Sequence, residues 1–169
     1  MTGLARGVFV STGSMMPFDR LIRAMDDWAK AHPDTPVYFQ IGKGSYEPRH
    51  GDFVRLMPVT AYRERLAMAK LFVAHAGMGS IIAAIEAGKP LIMLPRLKGR
   101  GEHNTDHQLA TATTIGQRDG LHVARDESDL APLIDRLLAG TAAPAPIAPF
   151  ASPEMIARVR AFIHGSNAG

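Results

Sequence analysis

The chain contains no cysteine, which removes thiolate nucleophiles, disulfides and cysteine-held zinc or iron–sulfur sites. Nor does it contain an Asp-x-Asp pair that would hold a divalent ion on a diphosphate, so a helix terminus would have to neutralise such an anion. The strained Gly-x-Ser-x-Gly turn of α/β hydrolases is missing too. Long apolar runs are lacking: residues 71–88, the least polar stretch, are broken by His75, Ser80 and Glu86, short of the roughly 20 apolar residues that a membrane helix needs. Between Met1 and Val10 only Val8 to Val10 are consecutively apolar, too few for a secretory signal, and a cytoplasmic location is expected. Charge of one sign is scarce. Nineteen Lys and Arg against sixteen Asp and Glu leave +3, which argues against a nucleic-acid partner.

What is present suits one core. The 169 residues are 46% apolar and 21% charged, and sixteen glycines with twelve prolines are too few for a disordered chain. Short apolar runs alternate with helical patterns, the signature of βαβ units and a parallel sheet. Strands are expected at 8–12, 37–42, 53–58, 71–75, 91–94 and 121–124. Helical faces lie between them: Phe18, Leu21, Ile22, Met25, Trp28 and Ala29; then Val59, Tyr62, Leu66 and Ala69; then Ile81, Ile82 and Ile85. Later helices are expected at about 106–117 and around Leu130, Leu133, Ile134, Leu137 and Leu138. The expected layout is an α/β Rossmann-like domain over 1–140 with about six parallel strands, a Pro/Ala-rich linker over 141–152, and an amphipathic helix and tail over 153–169, with Ile156, Val159 and Ile163 on one face.

Two segments carry chemistry. After the buried fourth strand comes His75-Ala76-Gly77-Met78-Gly79-Ser80, where small residues at a helix start expose backbone amides and the helix dipole favours a pyrophosphate. Gly pairs at strand ends also serve only as tight turns, and His75 is as well placed to orient the turn as to touch a ligand. It is not a P-loop, since Gly88-Lys89 is followed by Pro90, and not a dinucleotide fingerprint, since the third glycine is absent. The second segment is Gly101-Glu102-His103-Asn104-Thr105-Asp106-His107-Gln108, in which seven of eight side chains can hydrogen-bond. It follows a strand, at the sheet edge where open α/β folds bind ligands. Sugar-hydroxyl recognition, a metal site on His103 and His107, and a solvated helix entrance all fit it. Arg96, Lys98 and Arg100 cluster just before, either as a solvated loop or as contacts for a phosphorylated ligand or an anionic surface.

Together, Val8-Phe9-Val10-Ser11-Thr12-Gly13, Phe18-Asp19-Arg20-Leu21, Gln40-Ile41-Gly42, His75 through Ile81, Gly88-Lys89-Pro90-Leu91 and Gly101 through Leu109 resemble the C-terminal, UDP-sugar-binding domain of family 28 GT-B glycosyltransferases. The likeness runs over residues 7–140 and is strongest to the stand-alone subunit of split transferases, such as the dolichol-linked GlcNAc transferase and bacterial exopolysaccharide glucuronosyl- or galactosyltransferase pairs. The resemblance implies an inverting, metal-independent transfer from a UDP-sugar to a lipid-linked acceptor, with no cofactor. It places the diphosphate at Gly13, Ser14, His75, Gly77, Gly79 and Ser80, and uracil near Met57, Pro58 and Val59. The donor sugar is placed at Glu102, His103, Asp106, His107 and Gln108. The catalytic base is implied to lie on a membrane-anchored partner carrying the acceptor domain, which would hold this chain at the inner face of the membrane. The basic 96–100 loop and the last helix are where that partner is expected to dock. The chain departs from the pattern at Ala83, where many relatives carry a Glu for the ribose, with Glu86 a possible substitute. That departure keeps a non-catalytic scaffold subunit in play, and His103, Asp106 and His107 leave a metal-dependent hydrolase as a further alternative.

Overall fold

The computed structural model describes residues 7–116, 118–140 and 153–163. Six strands form one parallel sheet: β1 (Val8–Ser11), β2 (Val37–Gln40), β3 (Asp52–Val54), β4 (Leu71–His75), β5 (Leu91–Leu94) and β6 (Leu121–Val123). Their order is β3-β2-β1-β4-β5-β6. The chain therefore winds outward from β1 in one direction and from β4 in the other, and the change of direction opens a crevice between their carboxyl ends.

Among the described residues five helices pack on the sheet, α1 (Asp19–Ala31), α2 (Val59–Met68), α3 (Met78–Ala87), α4 (His107–Ile115) and α5 (Leu130–Ala139), and a further helix, α6 (Pro153–Ile163), is exposed over residues 153–161. Strand alternation explains the layers. Val8 and Val10 of β1 face one way, with Val73 and Ile92, and pack on Leu21, Ile22, Met25 and Trp28 of α1 and Leu130 and Ile134 of α5. Phe9, Phe72 and Met93 face the other way, against Leu66, Ile81, Ala84 and Ala112 of α2, α3 and α4. The central strands β1, β4 and β5 are buried nearly throughout, as parallel strands covered on both faces must be.

Several expected boundaries contract. The third strand stops at Val54 instead of Pro58, because after the Gly42 N–H bonds the Arg55 carbonyl the chain leaves the ladder, and Pro58, which has no N–H, precedes α2. The second strand ends at Gln40, where Gly42 adopts φ +57°, and α4 ends before Gly116. Of the α2 residues at apolar spacing only Leu66 is buried; Val59 is 69% exposed. The basic 96–100 loop contains a short 3-10 turn, Lys98–Arg100. In α6, Ile156 and Val159 are exposed. The 141–152 linker lies outside the described residues, as does the tail beyond Ile163. Among the described residues no helix is long and apolar enough to cross a membrane.

Candidate functional site

A cleft of about 490 Å³ opens at the carboxyl edge of the sheet, over the β1/β4 crevice. Its lining comes from strand ends, from the connections that follow them and from the first turns of α2, α3 and α4. Ser11 to Met16 come from the β1–α1 connection, Gln40 from the end of β2, His75, Gly79 and Ser80 from β4 and α3. Arg96, His103 and Gln108 come from the segment after β5, and Met57, Val59 and Tyr62 from the approach to α2 and the helix itself.

One wall is the N-terminus of α3. No side chain caps it, and the first hydrogen bond at its start runs from the Ile81 N–H to the Gly77 carbonyl. The amides of the first turn, with the positive end of the helix dipole, thus form a ready-made anion site. Gly79 and Ser80 of that turn line the cleft. An added Cβ at Gly79 would meet nothing within 4 Å, so this backbone is open to a ligand.

Behind it sits the His75 ring, wedged between two glycines. A Cβ at Gly13 would come 2.8 Å from one ring atom and a Cβ at Gly77 would come 2.3 Å from Nε2, so both positions make room for the imidazole. Gly77 itself does not line the cleft; its part is to seat His75. Nδ1 of His75 lies 3.5 Å from Ser80 Oγ. Burial, reinforced by the charge of Arg96, pushes the imidazole down to about 4, so it is neutral near pH 7.

The floor is a polar web closing apolar strands. Ser11 Oγ donates to Gln40 Oε1 and accepts the Gly13 N–H at 3.2 Å. Burial raises the Tyr62 phenol above its ordinary range, partly offset by bonds with Ser11 and Ser80. Arg96 is 3% exposed, which corrects the expectation of a solvated basic loop or docking contact at this position. Its guanidinium donates to the carbonyls of Thr12 (2.7 Å), Met16 (2.8 Å), Pro17 and Glu102 (3.2 Å) and lies over the Phe18 ring. Its burial lowers it to about 10, with Glu102 opposing, so it remains a cation at neutral pH. Lys98 and Arg100 are exposed.

The glycosyltransferase family 28 C-terminal domain matches residues 7–151. The chain belongs to that family. No curated protein matches it. Among solved structures, CalG4, the calicheamicin glycosyltransferase, is 18% identical with a TM-score of 0.58, over 96% of this chain and 44% of that one. MurG from Acinetobacter baumannii is 16% identical at TM-score 0.57, over 82% and 42%. Os79 from O. sativa, solved with UDP, is 16% identical at TM-score 0.59, over 81% and 33%. At these identities the likeness is one of fold, and the family 28 domain spans a third to under half the length of each.

Within this family 28 domain the segment 101–108 divides. His103 and Gln108 line the cleft, and Gln108 is buried, its Oε1 accepting the Arg96 N–H at 3.1 Å. Glu102 is outside the lining: Arg20 grips its carboxylate through Nε at 2.7 Å and Nη2 at 2.8 Å, and the Leu97 N–H bonds it at 3.0 Å. Asp106 accepts the Lys98 N–H at 2.8 Å. His107 is exposed, bonded to Thr105 and packed edge-on against His103. The polar density here is thus largely loop scaffolding. Among the described residues no three His, Cys, Asp or Glu converge on a metal position, which leaves the hydrolase alternative without a ligand set. Met57 and Val59 line the cleft but Pro58 does not; it precedes the first turn of α2. Ala83 is half-buried against the core under α3, and Glu86 is exposed.

Ser11, Thr12, Met15, Met16, Gln40 and Tyr62 line the cleft without being among the residues expected from the sequence, whereas Arg96 is singled out there as one of three clustered cations suited to a solvated loop, a phosphorylated ligand or an anionic surface. Ser11 and Gln40 carried a usable signal, since each is a polar residue ending an otherwise apolar central strand at the ligand-binding edge. Tyr62 carried none, and the cluster of Arg96, Lys98 and Arg100 did not tell which of its cations the packed fold turns inward.

Proposed function

We propose that this domain binds the donor of a sugar transfer, a UDP-sugar, in the β1/β4 cleft. The observation that carries the reading is the uncapped first turn of α3 opening onto that cleft, with open space at Gly79. In this reading the diphosphate rests on the Gly79 and Ser80 amides, with Gly13, Ser14 and neutral His75 alongside and Gly77 seating the imidazole. Uracil lies toward Met57 and Val59. The donor sugar lies toward His103 and Gln108, with Glu102, Asp106 and His107 holding that loop in shape. The chemical task of this half is to hold the donor and stabilise departing UDP through helix-terminus amides and fixed charge.

The full reaction in this reading is an inverting hexosyl transfer to a lipid-linked acceptor in exopolysaccharide or glycolipid synthesis. A membrane-anchored partner supplies the acceptor domain and the base, and keeps this chain at the inner face of the membrane. Calorimetry with UDP in the presence of EDTA tests the donor site: saturable binding is expected, and none at millimolar ligand would end the reading. A scaffold role, favoured by Ala83, is separated by the same titration, since a scaffold needs no nucleotide.

A further inference from the structure

The charges around the cleft do not balance. Among the described residues lining it there is no carboxylate, and Arg96 is the one side chain with a permanent charge. Its hydrogen bonds all go to main-chain carbonyls, those of Thr12, Met16, Pro17 and Glu102, which satisfy the donors without forming an ion pair, and the Glu102 carboxylate supports the charge only from a distance, without offsetting the cost of burial. The nearby carboxylates are committed elsewhere. Glu102 is held by Arg20 and the Leu97 N–H, and Glu127 is shared by Arg20 and Arg100. Three guanidiniums, Arg20, Arg96 and Arg100, therefore face two carboxylates, Glu102 and Glu127, and the buried member is the one without an ion-pair partner. Burying a cation without its counter-charge is costly, and the cost is recovered when a ligand brings the anion.

We propose that Arg96 is the charge complement of the diphosphate: a positioning residue that ties the β1–α1 loop to the segment after β5 and leaves one uncancelled positive charge in the cleft for an anionic ligand. This rests on the reading of the cleft as a UDP site. The geometry gives both parts. The guanidinium joins the Thr12 carbonyl, just before Gly13, to those of Met16 and Pro17, and so closes the loop that walls the cleft. The charge lies close enough to hold down the protonation of His75, and would act likewise on a phosphate beside that ring.

A loop clamp and a charge complement differ in what they do to a nucleoside without phosphates. Calorimetry at pH 7.5 with UDP and with uridine, on the wild type, Arg96→Gln and Arg96→Lys, separates them. Arg96→Gln is expected to weaken UDP by about tenfold or more while uridine changes by less than about threefold, and Arg96→Lys to keep most of the UDP preference. An unchanged UDP-to-uridine ratio in Arg96→Gln overturns the proposal, as does an equal loss of both ligands, which a mere clamp would give. If Arg96→Gln fails to fold by circular dichroism, Arg96→Lys decides alone. A desolvated ammonium loses its proton at lower pH than a guanidinium, so its UDP-to-uridine ratio must fall between pH 7.5 and 9.5 while the wild-type ratio holds. The other titratable groups of the cleft and its ion-pair cluster, Tyr62, His75, His103, Arg20, Arg100, Glu102 and Glu127, are common to both proteins, and a flat ratio in Arg96→Lys overturns the proposal. A wild type that binds no UDP refutes the donor-site reading instead.

Discussion

Replacing Gly79 by alanine should make the protein more stable and a poorer nucleotide binder in one step. Gly79 is the second residue of α3, and a Cβ there meets nothing within 4 Å, so the substitution carries no steric cost in the unliganded protein. Alanine gains up to about 1 kcal/mol over glycine inside a helix, and about half of that in a first turn, through the lower entropy of the unfolded chain. For a domain of this size that corresponds to a melting temperature higher by roughly 1–2 °C. If a diphosphate docks on the first-turn amides, the same methyl stands in its path. Losing one charge-assisted hydrogen bond costs about 1.5–3 kcal/mol, a fall of roughly 10- to 100-fold in UDP affinity, and Gly79→Val should do at least as much. Gly77→Ala is the contrasting control. Its Cβ would sit 2.3 Å from His75 Nε2, so the ring must move and the fold should lose about 1–3 kcal/mol. Differential scanning fluorimetry reads the stability and calorimetry reads the affinity. Wild-type UDP affinity in folded Gly79→Val, or a destabilised Gly79→Ala, would refute the reasoning.

Two further outcomes concern buried titratable groups. Asp26 of α1 is 1% exposed and accepts from Tyr46 Oη, the Arg49 and His50 N–H groups and His50 Nδ1, tying the β2–β3 connection to the helix. Burial raises its pKa, but the bonds from Tyr46, His50 and Arg49 prevail and hold it below the ordinary carboxylate value. Its stabilisation is therefore present above about pH 4 and lost as pH falls through the lower folded value. Asp26→Ala should cost about 3 kcal/mol in chemical denaturation at pH 7, with the gap to wild type narrowing below pH 4; a loss under about 0.5 kcal/mol would contradict the assignment. His75, pushed by burial from 6.5 to about 4, contributes stability that is complete above pH 6.5 and declines as pH falls through about 4. Its imidazole resonance should stay flat between pH 6 and 8 in a nuclear magnetic resonance titration, and a midpoint near 6.5 would contradict the buried, neutral ring.

The layers of this fold were legible because the core strands and the faces of α1 and α5 are determined by periodicity: β4 is apolar through Ala74, and Leu21, Ile22, Met25 and Trp28 recur at one helical face. The strand–turn–helix at His75 to Ser80 was legible because glycine there has a specific reason, the room Gly77 leaves for the His75 ring, while Gly79 stands in open space. The segment 101–108 misled in part because hydrogen-bonding capacity does not say where the bonds go. Glu102 is consumed by Arg20, 82 residues away in sequence, and no local pattern announces that pairing. Arg96 shows the same limit from the other side, since in sequence it is one of three close cations and in the fold it alone is buried.

The chemistry of the cleft also bears on how the work of a transfer would be divided. A general base acts best when its pKa lies near the working pH. Among the described residues the cleft is lined by no carboxylate, His75 near 4 is too weak a base to take a hydroxyl proton efficiently, and His103, the other imidazole there, accepts the Thr105 N–H at Nδ1, which leaves its Nε2 a donor in the neutral ring. The same cleft offers uncapped amides and a fixed cation, groups suited to receiving negative charge as a leaving group departs. On the proposed reading the two properties have one cause. The environment that keeps His75 neutral, burial beside an uncancelled guanidinium, is the environment that favours a departing diphosphate, so improving one function at this site weakens the other. A transferase built on this cleft is therefore better served by a base on a separate surface facing it than by one placed among these residues.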